Sequence, residues 1–244
     1  MSEGFALDSG IEPEKLAAEY TARGRIRIEP FLSAESAARL RDHLRGRADW
    51  RLSLKGPGEK VVEFDEAART EMSPEHARGL EKLAAPDRPG FRFLYERVWA
   101  SSAEASGQET SPLAAFAEFL RGEPVLDLLG RITGAADIVH ADVQATRYAA
   151  GHFLSIHDDI DETHDRRVAY VLGLTEGWRT EWGGLLLFHD RRGDVVEGWR
   201  PRFNAMTLFA VPQLHSVEAV IPHAPKRRYA VSGWLTASRP ADAG

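Results

Sequence analysis

The chain contains 244 residues, of which 43% are hydrophobic and 28% charged, a composition typical of a globular domain. Its formal net charge of −6 argues against a nucleic-acid partner, because nucleic-acid binders usually carry a basic face that displaces phosphate counterions. Cysteine is absent, which excludes disulfides, thiolate metal sites and a catalytic thiol. Any transition metal must therefore be held by nitrogen and oxygen ligands.

The beginning of the chain, MSEGFALDSGIEPEK, is acidic and lacks the basic and apolar regions of a secretory signal. No run of about 18 apolar residues follows it. We therefore expect a cytoplasmic protein with no membrane partner, acting on a small molecule or on a peptide or protein. The sequence predicts no oligomeric state.

Helical patterns dominate the first part of the chain. Apolar residues recur at steps of three and four in PEKLAAEYTARG and SAESAARLRDHLRGRADW, and Ser33 is the predicted N-cap of the second helix. Between them, RIRIEPFL alternates as a strand does. Two more helices are predicted in PLAAFAEFLRG and EPVLDLLGRITG. Residues 87–111 are rich in turn formers and predict a short strand followed by a mobile loop that folds over a site.

Short apolar runs separated by turns begin near Ala136 and recur about every ten residues, which is typical of an antiparallel sandwich, jelly roll or barrel. We therefore predict an α+β fold in a single domain, 1–244. Residues 1–135 would form a mainly helical support region. Residues 136–238 would form a double-stranded β-helix (jelly roll) core that carries the catalytic site.

The segment FLSIHDDID places a histidine and three acids directly after an apolar run. Because strand side chains alternate, His157 and Asp159 would share one face of an extended segment and could bind one metal. His215, at the start of a later strand, could complete the set. Two histidines and one carboxylate are the ligands typical of non-haem Fe(II) oxygenases. A chance pattern with solvated acids is the alternative.

The run RYAAGHFLSIHDD resembles the Tyr-x-x-Gly-x₅-His-x-Asp segment of the prolyl 4-hydroxylase-like Fe(II)/2-oxoglutarate dioxygenases. Tyr148, Gly151, His157 and Asp159 fall in its places. Downstream, EGWRTEWGGLLLF, FNAMTLFAVPQLHSVEAV and RRYAVSGWL resemble the family's Gly-Gly segment, distal-histidine strand and closing strand. RIRIEPFLSAESAARLRDHL is similar to its opening strand and helix. The resemblance extends from about Leu16 to Leu235.

This resemblance implies that His157, Asp159 and His215 bind Fe(II), and that 2-oxoglutarate is the cosubstrate, with ascorbate as a reductant. A cation must then bind the distal carboxylate, for which the planar fork of arginine is well suited. We assign Arg228 rather than Arg227, because neighbouring strand residues face opposite ways. Tyr148 would hydrogen-bond the cosubstrate, or would pack as an ordinary core aromatic.

Two departures from the family pattern concern the pocket wall. Ala230 stands where the family often has a hydroxyl, and VLGLTE replaces the usual strand ending in Tyr-Leu-Asn. Asp158, Asp161 and Glu162 form either an acidic lip or a solvated loop. Five further histidines and two tryptophans have ordinary interpretations. We expect His140 and His152 to be partly buried strand residues, and His164, His189 and His223 to be solvated. Trp182 and Trp234 would be core or pocket-wall aromatics.

The implied reaction is hydroxylation of an unactivated C–H bond, in a prolyl residue or a free amino acid. Halogenation would need a small residue in place of Asp159, so hydroxylation is favoured. A non-catalytic jelly roll that only binds a ligand, and a cupin-like metal site for hydrolysis or isomerisation, are the alternatives. Fold and metal ligands are common to enzymes with different substrates, so the sequence does not name the substrate.

Overall fold

The computed structural model describes residues 4–56, 60–84, 90–100, 111–161 and 163–238. Its α-helices are α1 (Pro13–Arg23), α2 (Ala34–Gly46), α3 (Glu66–Glu71), α4 (Pro74–Ala84), α5 (Pro112–Arg121) and α6 (Glu123–Thr133). Its strands are β1 (Arg25–Ile28), β2 (Arg51–Lys55), β3 (Val62–Phe64), β4 (Phe93–Trp99), β5 (His140–Ala141), β6 (Gln144–Tyr148), β7 (Phe153–His157), β8 (Arg166–Gly173), β9 (Leu186–His189), β10 (Val195–Trp199), β11 (Ala205–Ala210), β12 (His215–Val217) and β13 (Arg228–Thr236). None of the helices in these ranges has the length and apolarity to cross a membrane.

The helices form where the sequence provides caps and an apolar stripe. The Ser33 side chain accepts a hydrogen bond from the backbone N–H of Ser36, which caps α2 as predicted. In α6, the buried residues Val125, Leu126, Leu129 and Ile132 follow the helical repeat. These apolar faces form one core with the strands β1, β8, β11 and β13, so the helices cover one side of the sheet.

All strand pairs are antiparallel, and the main path of the sheet runs β1-β11-β8-β13-β6-β4-β7-β12-β9-β10. The sheet curls until its two end strands meet. The Nε of Arg25 in β1 lies 2.6 Å from a carboxylate oxygen of Glu197 in β10. Side chains therefore connect the two end strands, β1 and β10, between which the described residues form no backbone ladder.

Alternation along the strands divides the buried residues between two cores. In β11, Met206 and Leu208 belong to the core beneath the helices. Phe209 instead belongs to a smaller cluster inside the curled sheet, together with Phe188 and Trp178. Residues of this smaller cluster, such as Phe209, also line a cavity.

Four predicted helices correspond to α1, α2, α5 and α6, and RIRI forms β1 as expected. The strands β1 to β4 come from residues before 136 but pair into the same sheet as the later strands. Residues 93–99 form the predicted strand β4, whereas most of the predicted loop, residues 101–110, lies outside the described residues. The pairs α3–α4 and β2–β3 were not predicted. Helix α3 has no buried residues and therefore no apolar repeat to detect.

Candidate functional site

The last residue of β7 and the first residue of β12 bring two histidines together. His157 and His215 are directly paired across these strands, and their ring centroids are 4.1 Å apart. The Nε2 atoms of His157 and His215 lie 3.3 and 3.4 Å from the two carboxylate oxygens of Asp159. The three prospective ligand atoms lie within 4.8 Å of one another.

Backbone carbonyls orient both imidazole rings. The Nδ1 of His157 lies 2.9 Å from the carbonyl oxygen of Ser155, and the Nδ1 of His215 lies 2.8 Å from that of Gln213. A carbonyl only accepts hydrogen bonds, so each Nδ1 is the donor and each Nε2 is directed at Asp159. Metal-binding histidines are oriented by this same arrangement.

Asp159 reaches the histidines by a different route from the one predicted. It lies two residues beyond the end of β7 and has a φ of 63°, in the left-handed region that non-glycine residues rarely adopt. The expectation that an extended strand places His157 and Asp159 on one face was therefore wrong. A backbone reversal turns the carboxylate back towards the histidines, and the Arg166 guanidinium donates to the Asp159 carbonyl at 3.2 Å.

The three groups have complementary ionisation. Burial alone would raise the pKa of Asp159, but the hydrogen bond from His157 and the charge of His215 outweigh it and hold that pKa at about 2. Burial, helped by the nearby His157, lowers the pKa of His215 to about 4. At neutral pH the cluster therefore offers an ionised carboxylate and a neutral His215 imidazole, the forms that bind a metal.

A cavity of about 530 Å³ extends from this cluster into the curled sheet. Arg228 lies on its wall, is 3% exposed, and has no acidic partner among the described residues. Its Nε has no hydrogen-bond partner, and burial lowers the pKa of its guanidinium. Arg227 is exposed. The sheet register therefore places one arginine of the pair in the cavity.

Tyr148 pairs directly with Arg228 across β6 and β13. Its ring lies 4.9 Å from the Arg228 guanidinium carbon and stacks on Tyr95, with centroids 5.2 Å apart. Tyr148 is 3% exposed, and burial raises the pKa of its hydroxyl. It is thus both a core aromatic and a cavity residue, so the two interpretations of Tyr148 are compatible.

Several cavity residues were not singled out from the sequence. Phe91 lies 4.8 Å from the His157 ring, between centroids, and Arg166 stacks on the cavity residue Trp234 at 3.7 Å. Gln144 and Thr146 line the same wall as Tyr148. The period of two along β6 could have identified Gln144 and Thr146, because they precede Tyr148 by four and two residues. Phe91 and Arg166 have no such sequence signal.

Thr146 also bears on one departure from the family pattern. It is directly opposite Ala230, the residue at the position where a hydroxyl was expected. Thr146 lines the cavity and is 4% exposed. Its hydroxyl, 3.4 Å from the Ala230 carbonyl oxygen, therefore provides a hydroxyl group on this wall.

The other histidines lie away from the cluster. His189 was expected to be solvated, which was wrong: it is 7% exposed, and its Nε2 lies 2.8 Å from the Ser216 hydroxyl, because β9 carries it into the sheet. His152 is buried as expected, and His223 is exposed. His140 lies 3.7 Å from Asp142. In the loop after Asp159, Asp161 lies 3.2 Å from the Nδ1 of His164 and forms an ion pair with Arg166 at 3.0 Å.

Residues 143–236 match the 2OG-Fe(II) oxygenase superfamily. The match covers the strand-rich part of the chain, from the residue before β6 to the end of β13. The chain is also 27% identical over 114 residues to mouse prolyl 3-hydroxylase OGFOD1, a match that covers 44% of this chain and 20% of the mouse protein. It thus spans about a fifth of the length of that relative.

Two solved structures have the same fold. A Pseudomonas putida prolyl-4-hydroxylase superposes with a TM-score of 0.61 at 16% identity, covering 93% of this chain and all of that one. A Trichoplax adhaerens prolyl hydroxylase, solved with a hypoxia-inducible-factor peptide, superposes with a TM-score of 0.60 at 15% identity, covering 92% and 89%. The fold class is confirmed, and the match of residues 143–236 supports the predicted family resemblance and the prediction of an oxygenase that uses Fe(II) and 2-oxoglutarate. The ascorbate requirement and the cytoplasmic location stay predictions.

The donor set fits the cofactors of this superfamily. Two imidazole nitrogens and one carboxylate oxygen that lie within 4.8 Å of one another match the ligand preferences of Fe(II). A buried arginine without an acidic partner on the cavity wall fits the distal carboxylate of 2-oxoglutarate.

Proposed function

We propose that this protein is an Fe(II)- and 2-oxoglutarate-dependent hydroxylase of an unactivated C–H bond, in a prolyl residue or a free amino acid. His157, Asp159 and His215 would bind the metal, and Arg228 and Tyr148 would bind the cosubstrate. The observation that carries the proposal is that one cavity contains the His-Asp-His cluster and a buried arginine with no acidic partner among the described residues.

When bound, Fe(II) and 2-oxoglutarate together would supply the oxidising power that no side chain has. The residues of the chain contribute position and shielding. The carbonyl partners of His157 and His215 hold both rings with Nε2 towards the metal position. Arg166 fixes the backbone of Asp159, so that the carboxylate needs little rearrangement when the metal binds.

Arg228 and Tyr148 would orient the cosubstrate. Because the Arg228 guanidinium is buried, water screens its charge only weakly. A carboxylate that reaches it would therefore bind strongly. The Tyr148 hydroxyl can donate to the same carboxylate, and burial keeps it protonated by raising its pKa. Phe91 and Phe93 line the cavity and reduce its access to solvent.

The test is formation of succinate from 2-oxoglutarate in the presence of separate pools of peptides and free amino acids, with and without Fe(II) and O₂. Turnover should require both Fe(II) and O₂ and should rise with one pool. Equilibrium binding of Fe(II) to the wild type and to His157→Ala gives a second readout that needs no substrate. Product formation without O₂ would instead support the hydrolytic or isomerising alternative, and metal binding without any turnover would support the non-catalytic one.

A further inference from the structure

Gln144 has an unusual environment for a buried amide. It lies in β6, lines the cavity and is 6% exposed. Its Oε1 atom has no hydrogen-bond partner within the described part of the chain. Buried polar groups in folded proteins are nearly always hydrogen-bonded, and exceptions often mark a place where a ligand binds. The Gln144 carboxamide is therefore available to a bound molecule.

Gln144 and Arg228 occupy different places along the cavity wall. Arg228 is opposite Tyr148, whereas Gln144 is opposite Ser232. Four residues of antiparallel strand span about 14 Å, at about 3.4 Å per residue. The carbon chain of 2-oxoglutarate has four C–C bonds of about 1.5 Å each, so it is less than half as long as this separation between backbone positions. Gln144 therefore faces the space that remains for the substrate.

The charges around this space do not favour a free amino acid. Of the arginines that line the cavity in the described residues, Arg97 pairs with Glu63 and Arg166 pairs with Asp161. Arg228 has no acidic partner, and the proposed function assigns it to 2-oxoglutarate. Among the described residues of the cavity, an α-carboxylate would thus meet no further cation that lacks an acidic partner, which is unfavourable in a partly buried site. An uncharged group that can exchange hydrogen bonds with a carboxamide fits better.

We infer that Gln144 is a specificity-determining residue that hydrogen-bonds an uncharged amide of the substrate, so that the oxidised residue lies within a peptide chain. A peptide amide has one N–H donor and one carbonyl acceptor, which complement the Oε1 acceptor and Nε2 donors of Gln144. This inference rests on the proposed function and goes beyond it, because it selects between a residue in a chain and a free amino acid.

The chain has three glutamines, at positions 108, 144 and 213, so Gln144 can be observed directly. Protein labelled with ¹⁵N at glutamine side chains should give three amide pairs by NMR. The pair that disappears in Gln144→Met belongs to Gln144. If that variant does not fold, Gln108→Met and Gln213→Met identify the other two pairs and so assign the Gln144 pair by elimination. Zn(II) replaces Fe(II) to keep the sample diamagnetic and inactive. The probes are N-acetylated, C-amidated tripeptides and free L-amino acids, each added after 2-oxoglutarate.

The Gln144 amide signals should keep their positions when 2-oxoglutarate binds and shift when blocked tripeptides that stimulate succinate formation are added. Shifts on addition of 2-oxoglutarate alone would make Gln144 a cosubstrate contact and overturn the inference. So would shifts or turnover produced by free amino acids alone, or turnover of a peptide that leaves the signals unchanged. Absence of succinate with every pool would reject the proposed function itself. The succinate assay therefore distinguishes failure of the proposed function from failure of the inference about Gln144.

Kinetics provide the second measurement. Gln144→Met keeps the length of the side chain and removes the amide. Loss of one neutral hydrogen bond should raise the KM for the peptide by about three- to tenfold and leave the KM for 2-oxoglutarate unchanged. A purely structural role would alter both constants or the amount of folded protein. Equal KM values for the peptide in wild type and variant would refute the assignment.

Discussion

Replacement of Arg228 by alanine should weaken the binding of 2-oxoglutarate specifically. Arg228 is 3% exposed and has no acidic partner among the described residues, so the cosubstrate carboxylate would be its main charged partner. A hydrogen bond to a charged group contributes about 1.5–3 kcal/mol net, and each 1.4 kcal/mol changes affinity tenfold. Arg228→Ala should therefore raise the apparent KM for 2-oxoglutarate by roughly 10- to 150-fold.

The assay is the initial rate of succinate formation against 2-oxoglutarate concentration at saturating Fe(II), with calorimetric binding of 2-oxoglutarate as a second readout. Arg227→Ala is the matched control and should have a small effect, because Arg227 is exposed. Arg228→Lys should fall between, since lysine keeps the charge and loses the bidentate fork. A large effect of Arg227→Ala with none from Arg228→Ala would refute the strand register and the assignment of every inward-facing residue on β13.

The buried position of Arg228 also predicts that its replacement does not destabilise the protein in the absence of 2-oxoglutarate. A buried guanidinium without an acidic partner destabilises the free protein, as the direction of its pKa shift indicates. Arg228→Met should therefore leave the thermal unfolding midpoint unchanged or raise it in the absence of 2-oxoglutarate, and should abolish the increase that 2-oxoglutarate gives to the wild type. A large loss of stability without ligand would show that Arg228 is bound to another part of the protein.

Three further predictions concern the metal site, a buried ion pair and pH. His157→Ala and His215→Ala should each abolish turnover and weaken Fe(II) binding by more than about 100-fold in an equilibrium titration. The control His223→Ala should bind Fe(II) as the wild type does. Retained affinity in the His157 or His215 variant would show that the replaced histidine is not a metal ligand. Glu96 is 1% exposed and accepts from Arg147 at 2.5 and 2.7 Å, so Glu96→Gln should cost about 3–5 kcal/mol in urea unfolding, whereas the exposed Glu181→Gln should change little. Burial lowers the pKa of His152 from 6.5 to about 4, so between these values the unfolded chain binds a proton that the folded protein does not. Stability should therefore fall as the pH drops from 6.5 to 4, by up to about 3 kcal/mol from this residue, and the fall should be smaller in His152→Asn; equal falls in both proteins would contradict the burial effect.

Local patterns in the sequence were sufficient for the elements that have their own apolar repeat. Helices α2 and α6 have caps and stripes that can be detected without tertiary information. Strand alternation indicated that only one of Arg227 and Arg228 could face inward, and in the structure Arg228 is the one that lines the cavity. The order of His157, Asp159, His215 and Arg228 along the chain indicated the family.

Only the tertiary structure decided how these residues meet. Asp159 reaches the histidines through a left-handed residue that Arg166 holds, and no sequence period encodes that reversal. His189 is buried because β9 pairs with β12. This pairing joins distant segments of the chain, so the residues around His189 in the sequence do not indicate its burial. Gln144 is an ordinary strand residue in the sequence, but the fold buries its Oε1 atom without a hydrogen-bond partner in the described part of the chain. Burial and hydrogen-bond satisfaction depend on contacts between distant segments, and therefore on the whole fold.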